Sequence, residues 1–231
     1  KFNPSSLYNL KALLTGGAPH PAVQIRQWLN DDIPIVDGYG MSEAGTVFGM
    51  PFDIATIDAK AGCVGIPTHR LEVRLADPEG QLVADGVAGE IQLKGLNLFI
   101  GIWRQPALFE SCFTDDGWFK TGDVAIRDND GFYFIVDRIK DMFISGGENV
   151  YPTEIESVVL KLDSVLECAL VGVPDDRWGE VGCLFVVAKS KHSTIEQQEI
   201  MDELEQCLAK YKLPKYIQFV DSLPRNGGGK V

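Results

Sequence analysis

The chain has 231 residues, 45% of them hydrophobic, with 33 acidic side chains against 21 basic ones and a net charge of −12. The length and apolar share suffice for one large domain or two smaller ones with a buried core, while an acidic balance without any Lys/Arg block argues against a nucleic-acid footprint. No apolar run approaches the roughly 20 residues that span a bilayer, and the opening KFNPSSLYNLKALL lacks the layout of a signal peptide.

In chain order, LKALLTGG is a short apolar run ending in glycines and predicts a buried strand. PAVQIRQWLN sets Ile25, Trp28 and Leu29 at helical spacing, and IPIVDGYG is a second apolar run ending in a Gly-rich turn. Strand, helix, strand with loops at the strand ends is how parallel sheets build ligand sites. From residue 62 the pattern changes. GCVGIPTHRLEVRLADPEGQLVADGVAGEIQLKG alternates apolar and polar residues around Asp-Pro-Glu-Gly and Asp-Gly turns, and RDNDGFYFIV repeats the pattern, which predicts an antiparallel sheet or small barrel. The last third reads as a compact α+β unit. TEIESVVLKL puts Ile155, Val158, Val159 and Leu162 on one helical face, with Thr153 and Glu156 at capping-box spacing. VLECALVGVP, VGCLFVVAK and IQFVDSLP read as strands. Ser193 and Glu196 form a second capping-box pattern before a face of Ile200, Leu204, Cys207, Leu208 and Tyr211. The predicted class is therefore α/β plus a β-barrel plus α+β, divided at 1–61, 62–139 and 140–231.

The five cysteines, Cys63, Cys112, Cys168, Cys183 and Cys207, are scattered without a CxxC, and His20, His69 and His192 are far apart. This spacing predicts free thiols in a reducing compartment rather than a disulfide framework, and disfavours a metal or His-based nucleophilic site.

Four segments can carry chemistry. GYGMSEAG, Gly38 to Gly45, follows a predicted strand. Its Ser42 hydroxyl can donate to a phosphate oxygen, and its Glu43 carboxylate can hold a Mg²⁺ that bridges phosphates. In GWFKTGD, Asp123 can accept two ribose hydroxyls. In DRIKDMFISGGENVYPTEIE, Asp137 to Glu156, charges crowd before a Ser-Gly-Gly turn. Arg138, Lys140 and Asp141 can be solvated in several arrangements, and Gly146 and Gly147 permit unusual backbone angles, which reads as a joint. PRNGGGKV ends in Lys230 behind three glycines, a pattern that suits either a loop delivering a cation to an oxyanion or a frayed terminus.

In this order, the four motifs resemble the adenylate-forming superfamily, which includes acyl- and aryl-CoA synthetases, luciferases and the adenylation domains of peptide synthetases. The resemblance covers essentially the whole chain. It implies ATP/AMP, Mg²⁺ and CoA as cofactors, and a carboxylic acid activated to an acyl-adenylate and then transferred to a thiol. Gly16, Gly17 and Ala18 resemble the loop beside adenine and the acyl pocket. Asp37, Gly38, Tyr39 and Gly40 match the adenine-contacting stretch, Ser42 the residue on the α-phosphate and Glu43 the Mg²⁺ ligand. Asp123 matches the ribose carboxylate, and Arg138 an arginine reaching ribose and phosphate. Lys140 falls at the hinge about which a small domain swings. Ser145, Gly146, Gly147 and Glu148 would line the CoA tunnel, and Lys230 matches the lysine that stabilises charge during adenylation.

The family's phosphate loop lies upstream of the GGAP loop, and nothing in residues 1–15 resembles it. The chain therefore reads as a C-terminal portion of a longer cytoplasmic ligase of fatty or aryl acids, not expected to adenylate alone. Val47, Phe48, Met50 and Phe52 favour a hydrophobic acid, and Lys212 and Lys215 are either bases for CoA or a solvated helix end. Loading of a carrier protein and a non-catalytic remnant used for binding are the competing readings. The oligomeric state is left open, a homodimer included.

Overall fold

The computed structural model describes residues 4–7, 9–17, 20–189, 196–225 and 227. The chain divides into two compact units, residues 1–136 and 137–231.

In the first unit, β1 (Leu13–Gly16) and β2 (Ile35–Met41) are parallel, with Thr15 opposite Asp37, and are connected through α1 (Ala22–Asn30). β3 (Gly45–Gly49) turns back antiparallel to β2; α2 (Ile54–Ala59) follows, and β4 (Ile66–Pro67) pairs with β3. Helix α2 starts where the Asp53 carboxylate accepts the Thr56 N–H at 2.8 Å, the ordinary reason for an aspartate at that position. Ile25 of α1 packs with Val36, Met50, Ile57 and Cys63, and Leu29 lies against this cluster. β1 is a strand as its sequence predicts, but it is not buried. It is an edge strand with alternating exposure, and Leu14 is 79% exposed.

The second sheet runs β5 (Leu71–Ala76), β6 (Gly89–Gly95), β7 (Phe119–Arg127), β8 (Tyr133–Arg138), with α3 (Pro106–Ser111) between β6 and β7. The sheet stays open, correcting the expected barrel. The outer edge of β8 is occupied elsewhere: Tyr133 exchanges two backbone bonds of 2.9 Å with Val64 and Gly65, so β5 finds no partner there. The two sheets share one core, in which Val47 and Phe48 of β3 pack with Leu71, Leu75, Ile91, Leu93, Phe119 and Tyr133. Phe48 stacks on Tyr133 at 4.4 Å between ring centres and is fully buried. Burial of that size contributes about 2–3 kcal/mol.

The second unit begins with the hairpin β9 (Phe143–Ser145) and β10 (Glu148–Val150), then α4 (Pro152–Val159). The long hairpin β11 (Val165–Asp175) and β12 (Gly179–Ala188) follows, then α5 (Gln197–Cys207) and β13 (Tyr216–Phe219), which runs parallel to β12. Ile155, Val158 and Val159 meet Ile200 and Leu204 over Leu170, Leu184 and Val186, with Leu162 and Leu208 beside them. The predicted apolar face of α5 is narrower than expected, since Cys207 is exposed and Tyr211 lies 41% exposed beyond the helix end.

The capping box of α4 does not form as expected. Tyr151 occupies the cap of α4 and Thr153 is already inside the helix. The Thr153 N–H instead donates to Asp137 Oδ2 at 2.8 Å. Glu156 turns inward, where its Oε1 accepts the Leu170 N–H at 2.8 Å. Glu196 is itself the cap residue of α5, without a side-chain bond, and Ser193 lies outside the described residues.

Candidate nucleotide site

The two motifs with the most separated positions in the first unit come together. Tyr39 Oη donates to Asp123 Oδ2 across 84 residues of sequence. Each is aimed by local structure. Tyr39 sits near the end of β2, its ring 5.7 Å from Phe48. Next to it, Gly40 is required: a Cβ there would lie 2.6 Å from Gly45 O. Asp123 sits on a bulge of β7, because Glu90 pairs with Val124 and Gln92 with Lys120, leaving Thr121, Gly122 and Asp123 opposite Ile91 alone. The bulge is closed by side chains. Thr121 Oγ1 donates to Ile91 O at 2.8 Å and accepts the Asp123 N–H at 3.1 Å, while Gly122, at φ 74°, donates its N–H to Glu90 Oε1 at 3.1 Å. Bulges re-aim side chains beside active sites, and here the result is a buried carboxylate, 7% exposed, held by a phenol.

Ser42, Glu43 and Ala44 form the turn between β2 and β3. Ser42 is exposed and Glu43 half-buried. The turn is pinned from outside: Asn97 Nδ2 donates to Ala44 O at 2.6 Å, and the Phe99 N–H donates to Glu43 O at 2.7 Å. A hydroxyl and a carboxylate on a fixed, accessible turn fit a phosphate and its Mg²⁺. Among the described residues no group of three His, Cys, Asp or Glu side chains forms a cage, so Glu43 would share such an ion with phosphate oxygens and water.

Asp37 is buried within β2, opposite Thr15 of β1. Its Oδ1 accepts both Thr15 Oγ1–H at 2.9 Å and the Gly38 N–H at 3.0 Å. Burial pushes its carboxyl above the ordinary value, and the Thr15 and Gly38 bonds together with nearby His20 pull it back. Gly16 and Gly17 are exposed at the carboxyl end of β1, Gly17 at φ 88°. Ala18 and Lys230 lie outside the described residues.

Most of the remaining candidates belong to the second unit. The Arg138 N–H donates to Asp137 Oδ1 at 2.8 Å, and Lys140 is exposed. Gly146 and Gly147, at φ 61° and 90°, form the two-residue turn between Ser145 and Glu148, the geometry of hairpin turns with positive φ at both positions. The Trp178 indole covers Gly146, where a Cβ would lie 2.7 Å from its ring, and the Gly146 N–H donates to Trp178 O at 2.9 Å. Ser145 is buried rather than open to a tunnel, whereas Gly146, Gly147 and Glu148 are exposed. Lys212 is not a solvated helix end: its Nζ donates to both oxygens of Glu154 at 2.7 Å. Lys215 pairs with Asp175. Val47, Phe48 and Met50 are core residues of two different clusters and Phe52 is exposed, so they do not form one apolar acid pocket. Burial and the neighbouring Glu156 push the Cys168 thiol up to about 12, and all five cysteines are free thiols.

The sequence reading missed Thr121 and Asn97, and gave Thr15 and Asp137 no hydrogen-bonding role. The Thr before Gly-Asp is a local signal for Thr121. Asn97 and Thr15 act through partners 53 and 22 residues away, which no local pattern reveals.

This geometry has a family. Residues 1–103 match the model of the AMP-binding enzymes, and residues 154–230 match that of the AMP-binding enzyme C-terminal domain. The chain belongs to this adenylate-forming superfamily. Among its relatives, it is 43% identical over 231 residues to a feruloyl-CoA synthase of an Amycolatopsis species, covering all of this chain and 46% of the relative. It is 38% identical over 228 residues to the long-chain-fatty-acid–CoA ligase FadD13 of Mycobacterium tuberculosis, covering 96% of this chain and 43% of that one. The ATP-bound crystal structure of MatB from Rhodopseudomonas palustris superposes with a TM-score of 0.88 at 34% identity, covering the whole chain and 52% of that one. The chain thus spans a little under half the length of the curated relatives it matches. No helix among the described residues is long and apolar enough to cross a membrane, which leaves β-barrels untouched.

Proposed function

We propose that the protein is an ATP-dependent, AMP-forming acid–CoA ligase acting on a fatty or aryl carboxylic acid. The observation that carries this reading is the convergence of Tyr39 and Asp123, an aromatic ring and a bulge-aimed carboxylate, beside the pinned turn of Ser42 and Glu43. Such a set suits a nucleoside triphosphate: ring against base, carboxylate to ribose hydroxyls, hydroxyl and carboxylate to phosphate and Mg²⁺. Relatives named as CoA synthases and ligases support CoA as the thiol.

In this reading residues 1–61 complete the α/β part of a large domain, 62–139 its β-rich part and 140–231 a small domain hinged at Lys140. Gly16, Gly17 and Ala18 border the base and the acid, with Asp37 beneath them. Ser42 donates to the α-phosphate, and Arg138 adds charge at ribose and phosphate. Lys230 neutralises charge as carboxylate oxygen attacks phosphorus and pyrophosphate leaves. Gly146, Gly147 and Glu148 then border the path of the CoA thiol, which attacks the acyl carbon and releases AMP. A cytoplasmic location belongs to the same proposal and agrees with the free thiols.

The test is pyrophosphate release by the full-length protein with ATP, Mg²⁺ and a panel of carboxylic acids, with and without CoA. Turnover that requires CoA supports the ligase. Exchange of pyrophosphate into ATP without CoA-dependent turnover points to loading of a carrier protein. Absence of both with an intact nucleotide site leaves a binding module.

A further inference from the structure

Three polar side chains on and beside the parallel strands form a chain whose direction is fixed. Asp37 Oδ1 is the acceptor end, since it takes the Gly38 N–H at 3.0 Å as well as the Thr15 hydroxyl at 2.9 Å. Thr15 has one proton and has given it to Asp37. Thr15 Oγ1 lies 3.3 Å from His20 Nδ1, so in that contact Nδ1 must be the donor. A neutral imidazole that carries its proton on Nδ1 presents a lone pair on Nε2. The two nitrogens point to opposite sides of the ring. With Nδ1 facing Thr15, near the end of β1, Nε2 lies on the far side of the ring from that strand; ligands of parallel sheets bind beyond such strand ends. His20 is half-buried.

We propose that His20 is a specificity-determining residue: its Nε2 accepts a hydrogen bond from a hydroxyl on the carboxylic acid substrate, and Thr15 and Asp37 hold the ring in the tautomer that can do so. This inference rests on the acid–CoA ligase reading and narrows its substrate to hydroxyl-bearing acids. A site built to pair with a hydroxyl discriminates strongly against the analogue that lacks it, because the acceptor is then left unpaired. Thr15→Val releases the tautomer without touching the acid, so it is a positioning change.

The experiment uses the full-length enzyme and matched acids differing by one hydroxyl: 4-hydroxybenzoate with benzoate, 4-hydroxycinnamate with cinnamate, and an ω-hydroxy fatty acid with its parent. The readout is the ratio of kcat/KM within each pair. We expect the wild type to favour the hydroxylated member of at least one pair by about tenfold or more. In His20→Leu that ratio falls to near one. His20→Gln keeps an acceptor and retains part of the preference, and Thr15→Val lowers it less than His20→Leu does. If His20→Leu does not fold, His20→Gln and Thr15→Val carry the comparison. An unchanged ratio in the folded His20 variants, an equal loss for both members of a pair, or a wild type without preference in any pair overturns the role of His20 while leaving the ligase intact. A wild type that turns over no acid removes the ligase reading and this inference with it.

Discussion

Replacing Tyr39 with phenylalanine keeps the ring against Phe48 and removes one oxygen, the one that donates to Asp123. A hydrogen bond to a charged group is worth about 1.5–3 kcal/mol. Some of that stabilises the fold rather than the bound nucleotide, so about half is a fair share for binding, which corresponds to about a tenfold change in affinity. With the phenol gone, Asp123 must be ordered by ATP itself on binding. We therefore expect Tyr39→Phe to raise KM for ATP about tenfold in the pyrophosphate-release assay, with kcat within about twofold. The same variant should discriminate less between ATP and 3′-deoxy-ATP, because the carboxylate no longer stands ready for the ribose hydroxyls. A merely structural phenol would shift thermal stability and leave that discrimination untouched. A lower KM for ATP would refute the reasoning, since the phenol would then be competing with ribose for the carboxylate rather than positioning it.

Gly146→Ala places a methyl 2.7 Å from the Trp178 ring on a backbone at φ 61°. It should cost about 1 kcal/mol or more of stability and change the Trp178 fluorescence; an unaltered melt and spectrum would contradict the contact. Asp137→Ala leaves the Thr153 N–H without its 2.8 Å partner at the start of α4, and denaturant melts should fall by about 1–2 kcal/mol. Asp137→Asn, which keeps an acceptor, should recover part of that. Glu156 is held above its ordinary value of 4.5, chiefly by burial, with Asp137 and Asp141 adding repulsion and the Leu170 bond opposing. A carboxyl with a raised folded-state value favours the fold while protonated, and that contribution is lost as pH rises through the raised value. Glu156→Gln should therefore melt higher than the wild type at pH 7, and the gap should close as pH falls below 4.5; a gap that widens on acidification would reverse the assignment.

Where an element is defined by its own periodicity, the sequence reading matches the structure. Ile155, Val158 and Val159 lie on one buried face because helical spacing needs no information from elsewhere. The Gly146–Gly147 turn is likewise local chemistry. The failures are all non-local. β1 has the apolar run of a buried strand, and among the described residues it lies at the sheet edge with Leu14 exposed. The barrel stays open because Val64 and Gly65 take the edge of β8, a pairing between segments about 70 residues apart. The Thr153 box failed by two residues: Pro152 starts the helix early, and a carboxylate 16 residues upstream supplies the bond instead. At the site, each motif is legible as a composition of types, but the phenol–carboxylate contact depends on the β7 bulge, and no pattern in GWFKTGD says where that bulge will aim.

The pairing of Tyr39 with Asp123 also orders events in time. One partner lies near the end of a strand of the first sheet and the other interrupts a strand of the second, and Phe48 and Tyr133 join those sheets in one core. Closing so long a loop is an entropically late step in assembly. A ligand that recognises the pair therefore recognises only chains that have completed this unit. By mass action it draws the population toward them, by about 2.7 kcal/mol at a hundred times its dissociation constant. On the proposed function, nucleotide that binds this pair would stabilise completed copies of the unit over incomplete ones.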